Sequence, residues 1–124
     1  MLFRSGNLGS AINDYEKAIQ LDPKFTWPYN NLAIILYSTE DPKYLNPQKA
    51  VDLLLKALEI SGPRVPAYNE SLAGAYARLD QFDKAIEYQN IAIDIVEERG
   101  WYEKAEEYKA QLESYKNNKI LDQS

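Results

Sequence analysis

Apolar and small residues recur every three or four positions along this chain, the spacing that places them on one face of an α-helix. Turn-forming residues interrupt the pattern, most clearly at Asp22-Pro23, Asn46-Pro47 and Gly62-Pro63. We see no period-two alternation of the kind that predicts strands. The pattern predicts an all-α protein with helices over about Leu8–Leu21, Thr26–Ser38, Pro47–Ile60, Pro66–Leu79, Gln81–Glu98 and Trp101–Lys116, the third capped by Asn46.

The predicted helices repeat in pairs. Alanines seven residues apart open every second helix: Ala11 with Ala18, Ala50 with Ala57, and Ala85 with Ala92. The first members of these pairs lie 39 and then 35 residues apart, and the longer interval contains the polar stretch STEDPKYLNP. The intervening helices share a second motif, Tyr29-x-x-Leu32-Ala33-x-x-Leu36 and Asn69-x-x-Leu72-Ala73-x-x-Tyr76.

These motifs recur at corresponding positions of successive helix pairs. Together they resemble the tetratricopeptide repeat, which is about 34 residues long and carries W-x-x-L-G-x-x-Y in its first helix. Asn69 replaces the tryptophan, and Ala73 replaces the glycine. The resemblance covers about Leu2 to Leu112 and implies a right-handed α-α superhelix of antiparallel helix pairs, a solenoid with a C-terminal capping helix. The segments NNLAIILYSTEDPKYLNPQKAVDLLLKALEISG and PAYNESLAGAYARLDQFDKAIEYQNIAID further resemble the terminal repeats of bacterial scaffold proteins of this family.

The chain of 124 residues is long enough for one compact domain. We expect a single domain over 1–124, divided into a partial repeat (1–23), a repeat with a loop extension (24–63), a second repeat (64–99), a capping helix (100–117) and a frayed tail (118–124). Small residues such as Ala73, Ala85 and Ala92 are expected where two helices approach closely.

The two end helices are predicted to differ. In the last one, an apolar stripe opposes a charged side, as the cap of a helical repeat array requires; the stripe comprises Trp101, Ala105, Tyr108, Leu112 and Tyr115. The first helix has only the end of a preceding helix before it, in LFRSGN. We therefore expect an uncovered face including Leu8, Ile12 and Ile19, which another copy, a swapped helix or an upstream segment would cover.

The amino-acid composition argues against several kinds of catalytic and metal-binding site. The sequence has no cysteine and no histidine, which removes the commonest metal ligands and the usual general base. The adjacent carboxylates Glu97-Glu98 and Glu106-Glu107 point about 100° apart on a helix and do not face each other. We therefore predict no enzymatic activity, no cofactor and no metal site. The net charge of −5 argues against nucleic acid and anionic membranes as partners.

No apolar run is long enough to suggest a membrane span or the core of a signal peptide, and the compartment stays open.

The resemblance implies a groove lined by the first helix of each pair, in which a protein or peptide binds. The predicted groove residues are Trp27, Asn30, Ile34, Tyr37, Glu70, Gly74, Arg78 and Trp101. Such an aromatic and apolar strip with a few polar groups suits an extended peptide or a helix. Some relatives bind acidic chaperone tails through lysines, but Asn30 and Glu70 stand at those positions, although Asn31 matches.

Two alternatives remain open beside a scaffold that binds a peptide. The first is self-assembly through the first helix. The second is a recruiting or regulatory domain of a larger enzyme.

Overall fold

The computed structural model describes residues 5–120. Its six helices are α1 (Ser5–Leu21), α2 (Trp27–Ser38), α3 (Pro47–Ser61), α4 (Pro66–Arg78), α5 (Phe82–Glu98) and α6 (Tyr102–Lys116). Each helix packs against the next, and α2 also packs against α4, which produces a helical solenoid. The all-α prediction is confirmed, with helix ends differing from the expected ones by at most three residues, and residues 5–120 contain no strand. Residues 1–4 of the partial repeat and 121–124 of the predicted tail lie outside the described residues.

Local sequence explains where the helices begin and end. Pro28, Pro47 and Pro66 lie in the first turns of α2, α3 and α4, where the missing backbone N–H costs nothing. The side-chain oxygen of Asn46 accepts a hydrogen bond from the Lys49 N–H at 3.2 Å. The predicted N-cap of α3 is therefore confirmed.

We expect Asn46→Ala to destabilise the protein by about 1 kcal/mol, because the N–H at the start of α3 loses its acceptor. Chemical denaturation followed by circular dichroism measures this. Asn90→Ala, on the exposed surface of α5, is the matched control and should change stability by less than about 0.5 kcal/mol. Equal stability of the Asn46 variant and the wild type would contradict a stabilising cap.

The recurring alanines lie at helix contacts. The side chains of Ala50, Ala57, Ala73, Ala85 and Ala92 are all fully buried. The main core is formed largely by α2, α3 and α4, and a second cluster joins α5 to α6 around Ala92 and Ala105. Ala11 and Ala18, on α1, are only half-buried.

The prediction of an uncovered face on the first helix is wrong at Leu8, the first of the three residues named for it. Leu8 is only 4 % exposed, and Ile12 and Ile19 are half-buried against the main core. The loop between α2 and α3 also contacts α1, since it brings the Tyr44 hydroxyl to 3.0 Å from the position a Cβ of Gly9 would occupy. The loop extension therefore packs on α1, a contact that helix periodicity does not predict.

The apolar stripe of α6 also differs from the prediction at one residue. Ala105, Tyr108, Leu112 and Tyr115 are buried as expected. Trp101 instead precedes the helix as its N-cap residue and is 50 % exposed, with the Arg99 guanidinium 5.2 Å from its ring centroid. The ring is outside the stripe because it stands before the first helical turn.

Candidate interaction face

Three alternate helices, α2, α4 and α6, contribute side chains to one surface, which we call the A-helix face. Tyr37 of α2 contacts Gly74 of α4, and Glu70 of α4 lies beside Tyr108 and Gln111 of α6. The starts of α2 and α4 lie at the same edge of this face, where the hydroxyls of Thr26 and Tyr68 are 2.7 Å apart. The A-helix face therefore brings together residues that are more than 70 positions apart in sequence.

Tyr37 lies flat against α4 because residue 74 has no side chain. A Cβ at Gly74 would lie 2.7 Å from the Tyr37 Cε1 atom and 2.9 Å from its Cζ atom, which is closer than side chains tolerate. Burial, followed by the charge of Glu70, raises the pKa of Tyr37, while a hydrogen bond with Ser71 opposes this effect. The ring is therefore held neutral in the middle of the A-helix face.

Glu70 is the acidic group of this face. Burial raises its pKa above the ordinary value. The donor group of Gln111, the positive charge of Lys104 and the hydroxyl of Tyr108 oppose that increase, whereas the charge of Glu107 adds to it. The net upward direction means that the surroundings stabilise the carboxylate less well than water does.

The raised pKa predicts a pH-dependent effect of Glu70→Gln. In the folded protein Glu70 holds its proton to a higher pH than in the unfolded chain, so its ionisation reduces stability as pH rises from about 4.5 through the folded pKa. The variant should have a higher Tm than the wild type at pH 7, and a difference near zero at pH 4. Glu59→Gln, on the exposed side of α3, removes the same charge and should not show this trend. A difference that does not change with pH would contradict the prediction.

The other predicted groove residues occupy different environments. Trp27 is 52 % exposed at the start of α2, in edge-to-face contact with Tyr68 at 5.9 Å between centroids. Ile34 is half-buried, whereas Asn30 is buried, and its side-chain oxygen has no hydrogen-bond partner in the described part of the chain. Arg78 donates a hydrogen bond to the Thr39 carbonyl at 3.2 Å, which fixes the end of α2. Part of its donor capacity is therefore already used within the fold.

The sequence pattern predicts Trp101 as the groove residue of the last helix, but it misses Gln111 as a residue of the A-helix face. Gln111 belongs to the side of α6 that the pattern assigns to solvent, yet it is half-buried and accepts a hydrogen bond from the Gln89 side chain at 2.9 Å. Gln89 is completely buried and donates a second hydrogen bond, also 2.9 Å, to the Tyr108 carbonyl. The signal in the sequence was a glutamine at a position between Ala85 and Ala92 where an apolar residue is expected.

The described residues hold no group of three or more histidine, cysteine or acidic side chains arranged to bind a metal ion. Among residues 5–120, no helix is both long and apolar enough to cross a membrane. The A-helix face offers aromatic rings, amide groups and one carboxylate, which are groups found in protein-binding surfaces.

Comparison with known protein families matches residues 1–39 to the tetratricopeptide (TPR) repeat. No curated protein matches the chain. The match covers α1 and α2 and agrees with the consecutive helix packing of the rest of the described chain.

Proposed function

We propose that this chain, which folds as a helical solenoid and matches the TPR repeat over residues 1–39, is a scaffold module that binds a peptide or a helix along its A-helix face. Repeats of this family are in general protein–protein interaction modules. The observation that carries the proposal is the convergence of Tyr37, Glu70 and Gln111 from three helices on one surface.

The two tryptophans support the same face. They are the only tryptophans of the chain, they stand at the starts of α2 and α6, and each is about half exposed. Exposed aromatic residues are common at positions that dominate binding energy. We infer that a peptide bound near the starts of α2 and α6 would contact at least one of these rings.

Selection of binders from a random peptide display library tests this function. We expect the wild-type chain to enrich peptides and their binding to change the fluorescence of Trp27 or Trp101. Ile34→Glu, on the A-helix face, should abolish this binding. Leu55→Glu is the matched control, because Leu55 lies on α3 and is 40 % exposed. Circular dichroism checks that both variants fold. Equal binding by both variants would contradict the proposed face.

The argument for self-assembly through α1 was an exposed apolar face. That argument is weaker now, because Leu8 is buried and Ile12 and Ile19 are half-buried. Light scattering at two protein concentrations tests it, and an increase in mass with concentration would favour it. No observation on the described residues favours the recruiting or regulatory domain over a scaffold.

A further inference from the structure

Glu70 has no ionic partner among the described residues. The ion pairs of residues 5–120 join other carboxylates, and none includes Glu70. The cation that most affects it, Lys104, lies 3.4 Å from Glu107 and 5.8 Å from the ring centroid of Tyr108. Lys104 is therefore shared with other groups and leaves Glu70 incompletely compensated.

Tyrosine side chains surround this carboxylate. Tyr37 packs on Gly74, one helical turn after Glu70. The Glu70 charge also raises the pKa of Tyr37, Tyr108 and Tyr115, which indicates that all three rings lie near it. Tyr115 is 1 % exposed, so its ring lies in the core beneath the site. The site thus combines a half-buried anion with aromatic rings from two helices.

We propose that Glu70 and the tyrosines around it form a subsite for a cationic side chain, lysine or arginine, of the bound peptide. This inference rests on the function proposed above and names the chemistry of its ligand. A cation forms charge-assisted hydrogen bonds with the carboxylate and is attracted to aromatic rings. It also offsets the cost of keeping the carboxylate away from water.

The charge of the whole chain favours the same ligand. The net charge of −5 attracts basic peptides and repels acidic ones. An acidic side chain at this position would face both Glu70 and Glu107. A neutral apolar side chain would offer the carboxylate no positive charge.

The experiment is a selection from the random peptide display library on three proteins: the wild type, Glu70→Gln and Glu59→Gln. The Glu59 variant is the matched control, since it removes the same charge from an exposed position on α3. We expect the wild type and the Glu59 variant to enrich lysine or arginine at one fixed peptide position, and the Glu70 variant not to do so.

A second measurement changes the peptide, so its result on the wild type does not depend on the folding of any variant. Replacing the selected basic residue by norleucine should weaken binding to the wild type about ten-fold or more, as for loss of a hydrogen bond to a charged group. The same replacement should change binding to Glu70→Gln by less than about two-fold.

Four results would overturn the inference. Peptides enriched without a basic residue, or with the same basic residue on wild type and Glu70→Gln, would show that Glu70 does not select a cation while leaving the proposed function intact. Norleucine replacement with no loss of affinity would have the same meaning. Failure of the wild type to enrich any peptide would overturn both the inference and the proposed function.

Discussion

Replacing Gln89 by glutamate is expected to destabilise the protein by about 3 kcal/mol or more at pH 7, the largest effect of any single change considered for this chain. The Gln89 Nε2 atom donates to the Tyr108 carbonyl and to the Gln111 Oε1 atom, both at 2.9 Å. Gln89 is completely buried between α5 and α6. A carboxylate of the same shape would place a charge against two acceptors, with no water to solvate it.

The loss caused by Gln89→Glu should depend on pH. Burial favours the protonated carboxyl, so its pKa in the folded chain lies above that in the unfolded chain. The ionisation penalty is absent below the unfolded pKa of about 4.3 and grows as pH rises toward the folded pKa. Denaturant titrations at pH 4 and pH 7 measure this difference, which should be larger at pH 7.

Gln89→Leu is the control for this prediction. It loses the same two hydrogen bonds but adds no charge, and it removes the Gln89 Oε1 atom, which has no partner in the described residues. We expect a loss of about 1 kcal/mol that does not vary with pH. If the glutamate and leucine variants lost the same amount of stability at pH 7, a charge at this position would carry no extra cost. That result would contradict the prediction.

Ala92→Leu is expected to cost on the order of 1–3 kcal/mol, because it inserts a large side chain where two helices are in close contact. Ala92 is fully buried in the cluster that joins α5 to α6, and Ala105 of α6 belongs to the same cluster. The added atoms force the two helices apart or displace the neighbouring Tyr108 and Leu112 side chains. Thermal unfolding should show a lower Tm.

Ala110→Leu is the matched control, since Ala110 is exposed on α6. It adds the same atoms with nothing to displace and should change stability by less than about 0.5 kcal/mol. An unchanged Tm for Ala92→Leu would mean that the recurring alanines do not mark close helix contacts, which would contradict the repeat register.

Much of the fold was predictable because helix formation is governed by neighbours in the chain. The spacing of apolar residues, the capping Asn46 and the early prolines of α2, α3 and α4 predicted all six helices. The repeated alanines predicted the buried contacts at Ala50, Ala85 and Ala92, since only small side chains allow two helices to approach closely.

The candidate site was predictable only in part. The register identified Tyr37, Glu70 and Gly74 as residues of one surface, but not that the Tyr37 ring covers Gly74. It assigned Gln111 to solvent, because a one-dimensional pattern divides α6 into only two sides. The structure shows that the residue is half-buried between Gln89 and the surroundings of Glu70.

The amino-acid sequence by itself determined the helices, their order and the alanines at which they meet, because each depends on residues within a few turns of one another. Contacts between distant segments depended on how the helices are offset and inclined. Packing of Tyr44 beside Gly9, burial of Leu8 and isolation of the Glu70 carboxylate belong to this second group. Small changes in helix position alter which side chains meet, and periodicity carries no information on such offsets.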